Sequence, residues 1–183
     1  MVHFNLPIIF LSSLLLLGCS SAGVIHSNDP SVKISQAYQL KSQSRPIPAQ
    51  KLLQEALVIY QAENNKQGEA RAYLGLGDLY KSQSYQSQAD IFKRWNEYQS
   101  YADAASYYLK AGNIYEEKLD YWSLSRTYSA AGDANILDGR VKESCELYVK
   151  VEETFNVHKS TFTESQVTFT QKLLKEFHSA VEC

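Results

Sequence analysis

An all-α fold is what this sequence predicts, on three observations. From Ala49 almost to the end, apolar residues recur at i, i+3 and i+4, the spacing that lines one face of a helix. No stretch shows the sustained apolar–polar alternation of a half-buried strand; the β-branched run from Thr161 to Thr170 fits a helix carrying Phe162, Phe169 and Leu173. The chain also matches itself when slid by 35 residues, a sign of stacked helical units. Thirteen Tyr against four Pro and eight Gly suit a folded helical domain rather than a disordered chain.

Taken in order, the first element is apolar and short. Leu6 to Leu17 is interrupted only by Pro7, Ser12 and Ser13. As a helix it spans about 18 Å, well under a hydrocarbon core of about 30 Å, so it reads as the apolar region of a signal peptide. It runs into Leu16-Leu17-Gly18-Cys19, followed by Ser20 and Ser21. This resembles the bacterial lipobox. The resemblance implies that residues 1–18 are removed, that Cys19 becomes the lipidated first residue, and that Ser20 directs sorting to the outer membrane. Two features depart from the pattern: Met1 to Asn5 carry no Lys or Arg, and Leu17 is bulkier than usual. Several acyl chains anchor stably where one is marginal.

Residues 19–48 then read as a lipid-anchored tether, polar at first, with a short helix begun by Asn28-Asp29-Pro30 and running to about Gln43. Ser44-Arg45-Pro46-Ile47-Pro48 breaks it, because a proline pushes its predecessor out of the helical region. The helical domain is expected over 49–183. Its first helix carries Leu52, Leu53, Ala56, Ile59 and Tyr60, with punctuation at Asn64-Asn65-Lys66. A second carries Tyr73, Leu76, Leu79 and Tyr80, and further helices centre on 86–97, 101–117, 121–131, 140–156 and 164–180.

The self-match places Leu76-Gly77-Asp78-Leu79-Tyr80 on Ala111-Gly112-Asn113-Ile114-Tyr115, and Tyr73 on Tyr108. A small residue is needed where paired helices approach closely, with aromatics filling the gaps beside it. The pattern resembles the tetratricopeptide repeat, a helix pair of about 34 residues. Leu124, Tyr128 and Ala131 partly answer its second helix, and Gln50 to Ala62 looks like the end of an incomplete preceding unit. Lys93 stands where an aromatic is expected, no Pro closes either unit, and the period fails after Gly132-Asp133. The resemblance implies antiparallel helix pairs in a short α-solenoid, with the last two helices as a degenerate repeat or a cap.

In that family the first helices of successive pairs line a protein-binding groove. Carried onto this chain, the groove residues are Arg71, Leu74, Asp78 and Lys81, then Leu109, Asn113 and Glu116. The same residues also suit an ordinary solvated surface. Tyr73, Tyr80, Tyr108, Tyr115 and Tyr128 read as core, whereas Tyr85, Tyr98, Tyr101, Tyr121, Trp95 and Trp122 fit either inter-repeat gaps or an interface.

Beyond Cys19, two cysteines remain, Cys145 and Cys183. An exported protein meets an oxidising compartment, so they are expected to pair, closing a loop of about 39 residues, with two separate thiols as the alternative. A metal or thiol–imidazole site from Cys145, His178 and Cys183 is a weaker reading, lacking a tight ligand spacing. Glu116-Glu117 and Glu152-Glu153 diverge around a helix and form no acid–base couple, and no phosphate loop or nucleophile elbow occurs. No catalytic residue, metal or cofactor is expected. Net charge is −2, and the first eighteen residues hold no Lys, Arg, Asp or Glu, so removing them leaves that value and no basic footprint for nucleic acid. No small-molecule substrate is evident. The expected partners are a protein or peptide, and a membrane reached through the N-terminal lipid. The expected role is a periplasm-facing scaffold or assembly factor for an envelope complex such as a pilus, secretion system or outer-membrane machinery. An inhibitor or immunity protein for one periplasmic toxin or enzyme is the alternative.

Overall fold

The computed structural model describes residues 27–183, and all regular structure among them is helical. The elements are α1 (Pro30–Ser42), α2 (Pro46–Ala62), α3 (Lys66–Tyr80), α4 (Gln83–Gln86), α5 (Ala89–Arg94), α6 (Tyr101–Glu117), α7 (Tyr121–Leu137), α8 (Val141–His158) and α9 (Glu164–Ala180), with a single 3₁₀ turn over Lys159–Thr161. The expected signal segment, Cys19 and the residues that follow it up to His26 lie outside the described residues.

One turn recurs four times. After α1, α2, α6 and α7 the chain reverses in three residues whose middle member has positive φ: Ser44, Asn64, Leu119 and Gly139. In each, the following N–H reaches back to a carbonyl five residues earlier: Arg45 to Leu40, Asn65 to Tyr60, Asp120 to Tyr115 and Arg140 to Asn135. This left-handed closure satisfies carbonyls that the helix end leaves open. The next helix starts beside it, with side-chain caps from Asn65 on the Gly68 N–H and Asp120 on the Ser123 N–H. Pro46 and Pro48 do not delay α2 to Ala49 as expected. Pro46 stands at its first position, where a missing N–H costs nothing.

Three hairpins result, α1/α2, α3/α6 and α7/α8, packed side by side in chain order. Ile34, Ala37 and Leu40 of α1 belong to the core shared with Leu53 and Ala56 of α2 and Leu76 of α3, so the packed domain begins at Pro30 rather than Ala49. In the second hairpin, Gly77 near the end of α3 meets the ring of Tyr108 near the start of α6, and a Cβ there would lie 2.9 Å from it. Ala70, early in α3, shares a cluster with Ala111 and Tyr115, further along α6. The two helices therefore run antiparallel as halves of one unit. The 35-residue self-match takes α3 and α6 as equivalent helices, and each opens through its glycine onto the next long helix, Gly77 onto Tyr108 of α6 and Gly112 onto Thr127 of α7.

Between α3 and α6 the three-residue turn is replaced by Lys81–Ser100, so the expected helix over 86–97 becomes the short pieces α4 and α5. This insert has its own core. Tyr85 is fully buried, stacked on Phe92 at 4.2 Å between ring centres. Its hydroxyl donates to the Glu97 carbonyl and accepts from the Gln99 N–H. Gln86 donates to the Tyr80 and Gln99 carbonyls and accepts from Tyr98. Tyr85 and Phe92 are thus core residues, while Trp95 stays 53% exposed at the tip.

α8 completes the third hairpin, leaving α9 as the cap. Leu174 and Phe177 of α9 cover Val151 and Phe155 of α8 with Phe162 between them, and Phe177 stacks on Tyr148 at 3.5 Å. Trp122 meets Phe162 and Phe169 edge-on, tying α7 to the same end. A disulfide joins Cys145 to Cys183, with Cα atoms 5.8 Å apart, and fastens the segment after α9 to α8.

Candidate functional site

The same four residue types occur at the same spacing on α3 and on α7: Arg71, Tyr73, Gly77 and Asp78, and again Arg126, Tyr128, Gly132 and Asp133. Their helical positions explain the pairing. Each glycine removes the Cβ that would otherwise block the aromatic ring of the second helix, Tyr108 at Gly77 and Tyr148 at Gly132. Each aspartate, next along the chain, then takes that ring's hydroxyl: Tyr108 donates to Asp78 and Tyr148 donates to Asp133, both at 2.7 Å. The arginine lies two turns earlier on the aspartate's side of the helix.

These arginines come to one cleft. α1 contributes Ser31, Ile34, Ser35 and Tyr38; α3 contributes Arg71, Leu74 and Asp78. From α7 come Ser123, Arg126, Thr127 and Ala130, and from α6 Tyr108 and Tyr115. The cleft consists of two adjoining hollows of about 300 and 210 Å³ that share Tyr38 and Leu74. Its one carboxylate, Asp78, is engaged on both oxygens, since Tyr38 also donates to it at 2.8 Å. Burial, and then the neighbouring Asp78 charge, hold the hydroxyls of Tyr38 and Tyr108 far above the ordinary tyrosine value, so both are donors throughout the physiological range. Tyr115 is raised by burial and by Asp120, with Arg71 and Arg126 both pulling the other way. Among the described residues neither arginine has a carboxylate within ion-pair distance.

The groove residues inferred from the sequence divide between two places. Arg71, Leu74 and Asp78 line the cleft just described. Lys81, one turn beyond, lies 3.6 Å from Asp133 and over the Tyr108 ring. Leu109, Asn113 and Glu116 are not with them. They line a separate cleft of about 610 Å³, with Tyr121 and Tyr128 of α7 and Lys150 and Glu153 of α8. The sequence reading missed Ser31, Tyr38, Ser123 and Arg126; the repeated Arg–Tyr–Gly–Asp spacing was the signal that locates Arg126.

Cys145 and Cys183 are joined to each other, which removes both thiols from any site with His178. His158 stacks on Tyr121 at 3.3 Å. Among the described residues no group of three or more His, Cys, Asp or Glu is placed to hold a metal ion, and no helix is long and apolar enough to cross a membrane. No protein-family model matches the chain. No curated protein matches it either.

Proposed function

We propose that this chain is a lipid-anchored, periplasm-facing protein-binding repeat that serves the assembly of an envelope complex, and that it holds its partner in the α1–α3–α7 cleft. Three features support the reading. The residues ending in Cys19 resemble a lipobox, and a Cys145–Cys183 disulfide suits an oxidising compartment. The hairpins, two of them closed by a glycine against a tyrosine ring, resemble tetratricopeptide units, whose usual work is protein binding; that step is analogy from fold to function. The observation that carries the reading is the cleft itself, where side chains from three hairpins converge and neither arginine has a carboxylate within ion-pair distance among the described residues.

The test is a crosslinked pull-down from detergent-solubilised envelopes. Ser35→Trp with Ser123→Trp fills the cleft at its rim, and Asn113→Trp obstructs the separate cleft beside α8. Partners recovered with wild type and Asn113→Trp but lost with the double variant are the expected result. Loss with Asn113→Trp alone would move the site to the other cleft. Several components of one machine mark an assembly factor, whereas one tight partner marks an inhibitor or immunity protein. Cys19→Ser should release the exported chain from the membrane fraction; a variant still membrane-bound would remove the lipid anchor from the proposal.

A further inference from the structure

We propose that the α1–α3–α7 cleft binds an internal acidic segment of its partner, with side-chain carboxylates seated between Arg71 and Arg126; this rests on the protein-binding reading above. The first support is electrostatic. Five cations among the described residues sit against a carboxylate: Lys33, Lys66, Lys81, Arg140 and Lys172. Arg71 and Arg126 do not, and they bring two positive charges to a cleft whose one carboxylate is Asp78.

The second support is that the cleft's own carboxylate is occupied. Asp78 receives a tyrosine hydroxyl on each oxygen, so it is held in the wall and not aimed at either guanidinium. Asp133 is likewise engaged by Tyr148 and Lys81. Third, the type of cation matters. A guanidinium presents a planar fork of donors matched to a carboxylate, and it is more weakly hydrated than an ammonium. Arg126 is also steadied, lying 5.8 Å from the Trp122 ring centre. The Ser123 hydroxyl supplies a further donor, while Ile34, Leu74 and Ala130 give apolar ground for the residues between the acidic ones. Donors, cations and short apolar stretches fit an extended acidic peptide and disfavour a basic or wholly apolar one.

The experiment uses the full-length chain in neutral detergent micelles and fluorescence anisotropy. The probe is a fluorescein-labelled decapeptide of alternating Glu and Ala, blocked at the C-terminus so that only side-chain carboxylates are offered. Its Gln/Ala and Lys/Ala counterparts are the controls. The Glu/Ala peptide is expected to bind, and the Gln/Ala peptide to bind at least about tenfold more weakly, as is usual when one member of close charge pairs is removed. Arg71→Gln with Arg126→Gln should weaken the Glu/Ala peptide by a similar factor. Arg71→Glu with Arg126→Glu should exchange preference to the Lys/Ala peptide, which shows that the variant cleft is still folded. Failure of the wild type to bind the Glu/Ala peptide, equal binding of the Glu and Gln peptides, or undiminished binding by the double Gln variant would each overturn the proposal. If the pull-down partners are still lost with Ser35→Trp and Ser123→Trp while the acidic peptide fails, the protein-binding reading stands and the acidic-ligand inference falls.

Discussion

Gly132→Ala sets two ordinary effects against each other. Alanine in place of a mid-helix glycine favours the helix by about 1 kcal/mol. At this position, however, the new Cβ would lie 2.8 and 2.9 Å from two carbons of the Tyr148 ring. That ring has no room to retreat. Phe177 is stacked on it at 3.5 Å, and its hydroxyl is held by Asp133 at 2.7 Å. Overpacking of this kind costs about 1–3 kcal/mol, and rotating the ring away would forfeit a hydrogen bond to a carboxylate, a further 1.5–3 kcal/mol or so. The net expectation is destabilisation by about 1–3 kcal/mol. Urea unfolding of the oxidised chain measures it, and a second background makes the reasoning exposed to refutation. Tyr148→Ala removes the obstacle, at its own cost of about 3–5 kcal/mol, so that Gly132→Ala added to it should become stabilising by about 1 kcal/mol. The change of sign is the point. If Gly132→Ala has the same effect in both backgrounds, ring-on-backbone contact does not set the α7/α8 pairing.

Three further outcomes follow from other parts of the molecule. Leu119 holds positive φ with its side chain 67% exposed, so Leu119→Gly should stabilise the chain by about 1 kcal/mol; an unchanged or lower denaturation midpoint would argue against strain at that turn. Reduction of Cys145–Cys183, or Cys145→Ser, should cost up to roughly 4 kcal/mol and show first as faster amide exchange in α9, whereas exchange rising evenly along the chain would deny α9 its role as a separately fastened cap. Stability should also fall in alkali. Burial pushes the Tyr85 hydroxyl up to about 12, and Tyr38, Tyr80, Tyr108 and Tyr148 are raised too, while the unfolded chain ionises near the ordinary value of 10.0. The folded state therefore keeps protons that the unfolded state has released. The contribution is complete below pH 10.0 and is lost as pH climbs through about 12; a denaturant midpoint that stays level across that window would contradict it.

Helix positions were largely legible because the signals that bound them are local. Ser100 and Asp103 form a capping box at the start of α6, Thr163 and Gln166 another at α9, and the expected spans 101–117 and 164–180 coincide with the observed helices. Neighbour relations were not legible in the same way. Periodicity says which face of a helix is buried, not which helix covers it, and both α3 and α6 carry a glycine near an aromatic. Gly77 and Gly112 therefore matched by type although one opens onto Tyr108 and the other onto Thr127. Leu109, Asn113 and Glu116 accordingly lie along a different cleft from Arg71, Leu74 and Asp78, beside which the structure places Ser123 and Arg126. The insert misled for a related reason: Tyr85, Ala89 and Phe92 keep i, i+4, i+7 spacing and read as one helix, whereas the rings sit on two short pieces and make a small core with each other and with Tyr98. α1 was read as tether because it holds few apolar residues; Ile34, Ala37 and Leu40 suffice to close the end of the stack.

The shared aspartates bear on how the molecule melts. An array of hairpins touching only nearest neighbours can open one unit at a time, from either end. Here Asp78 receives Tyr38 from the first hairpin and Tyr108 from its own, and Asp133 receives Tyr148 while facing Lys81 of the hairpin before. Peeling away α1/α2 strips one donor from Asp78, and loosening α7/α8 leaves Lys81 without its counter-charge. Each opening thus takes a partner from the unit that remains, which couples every hairpin to the one beside it.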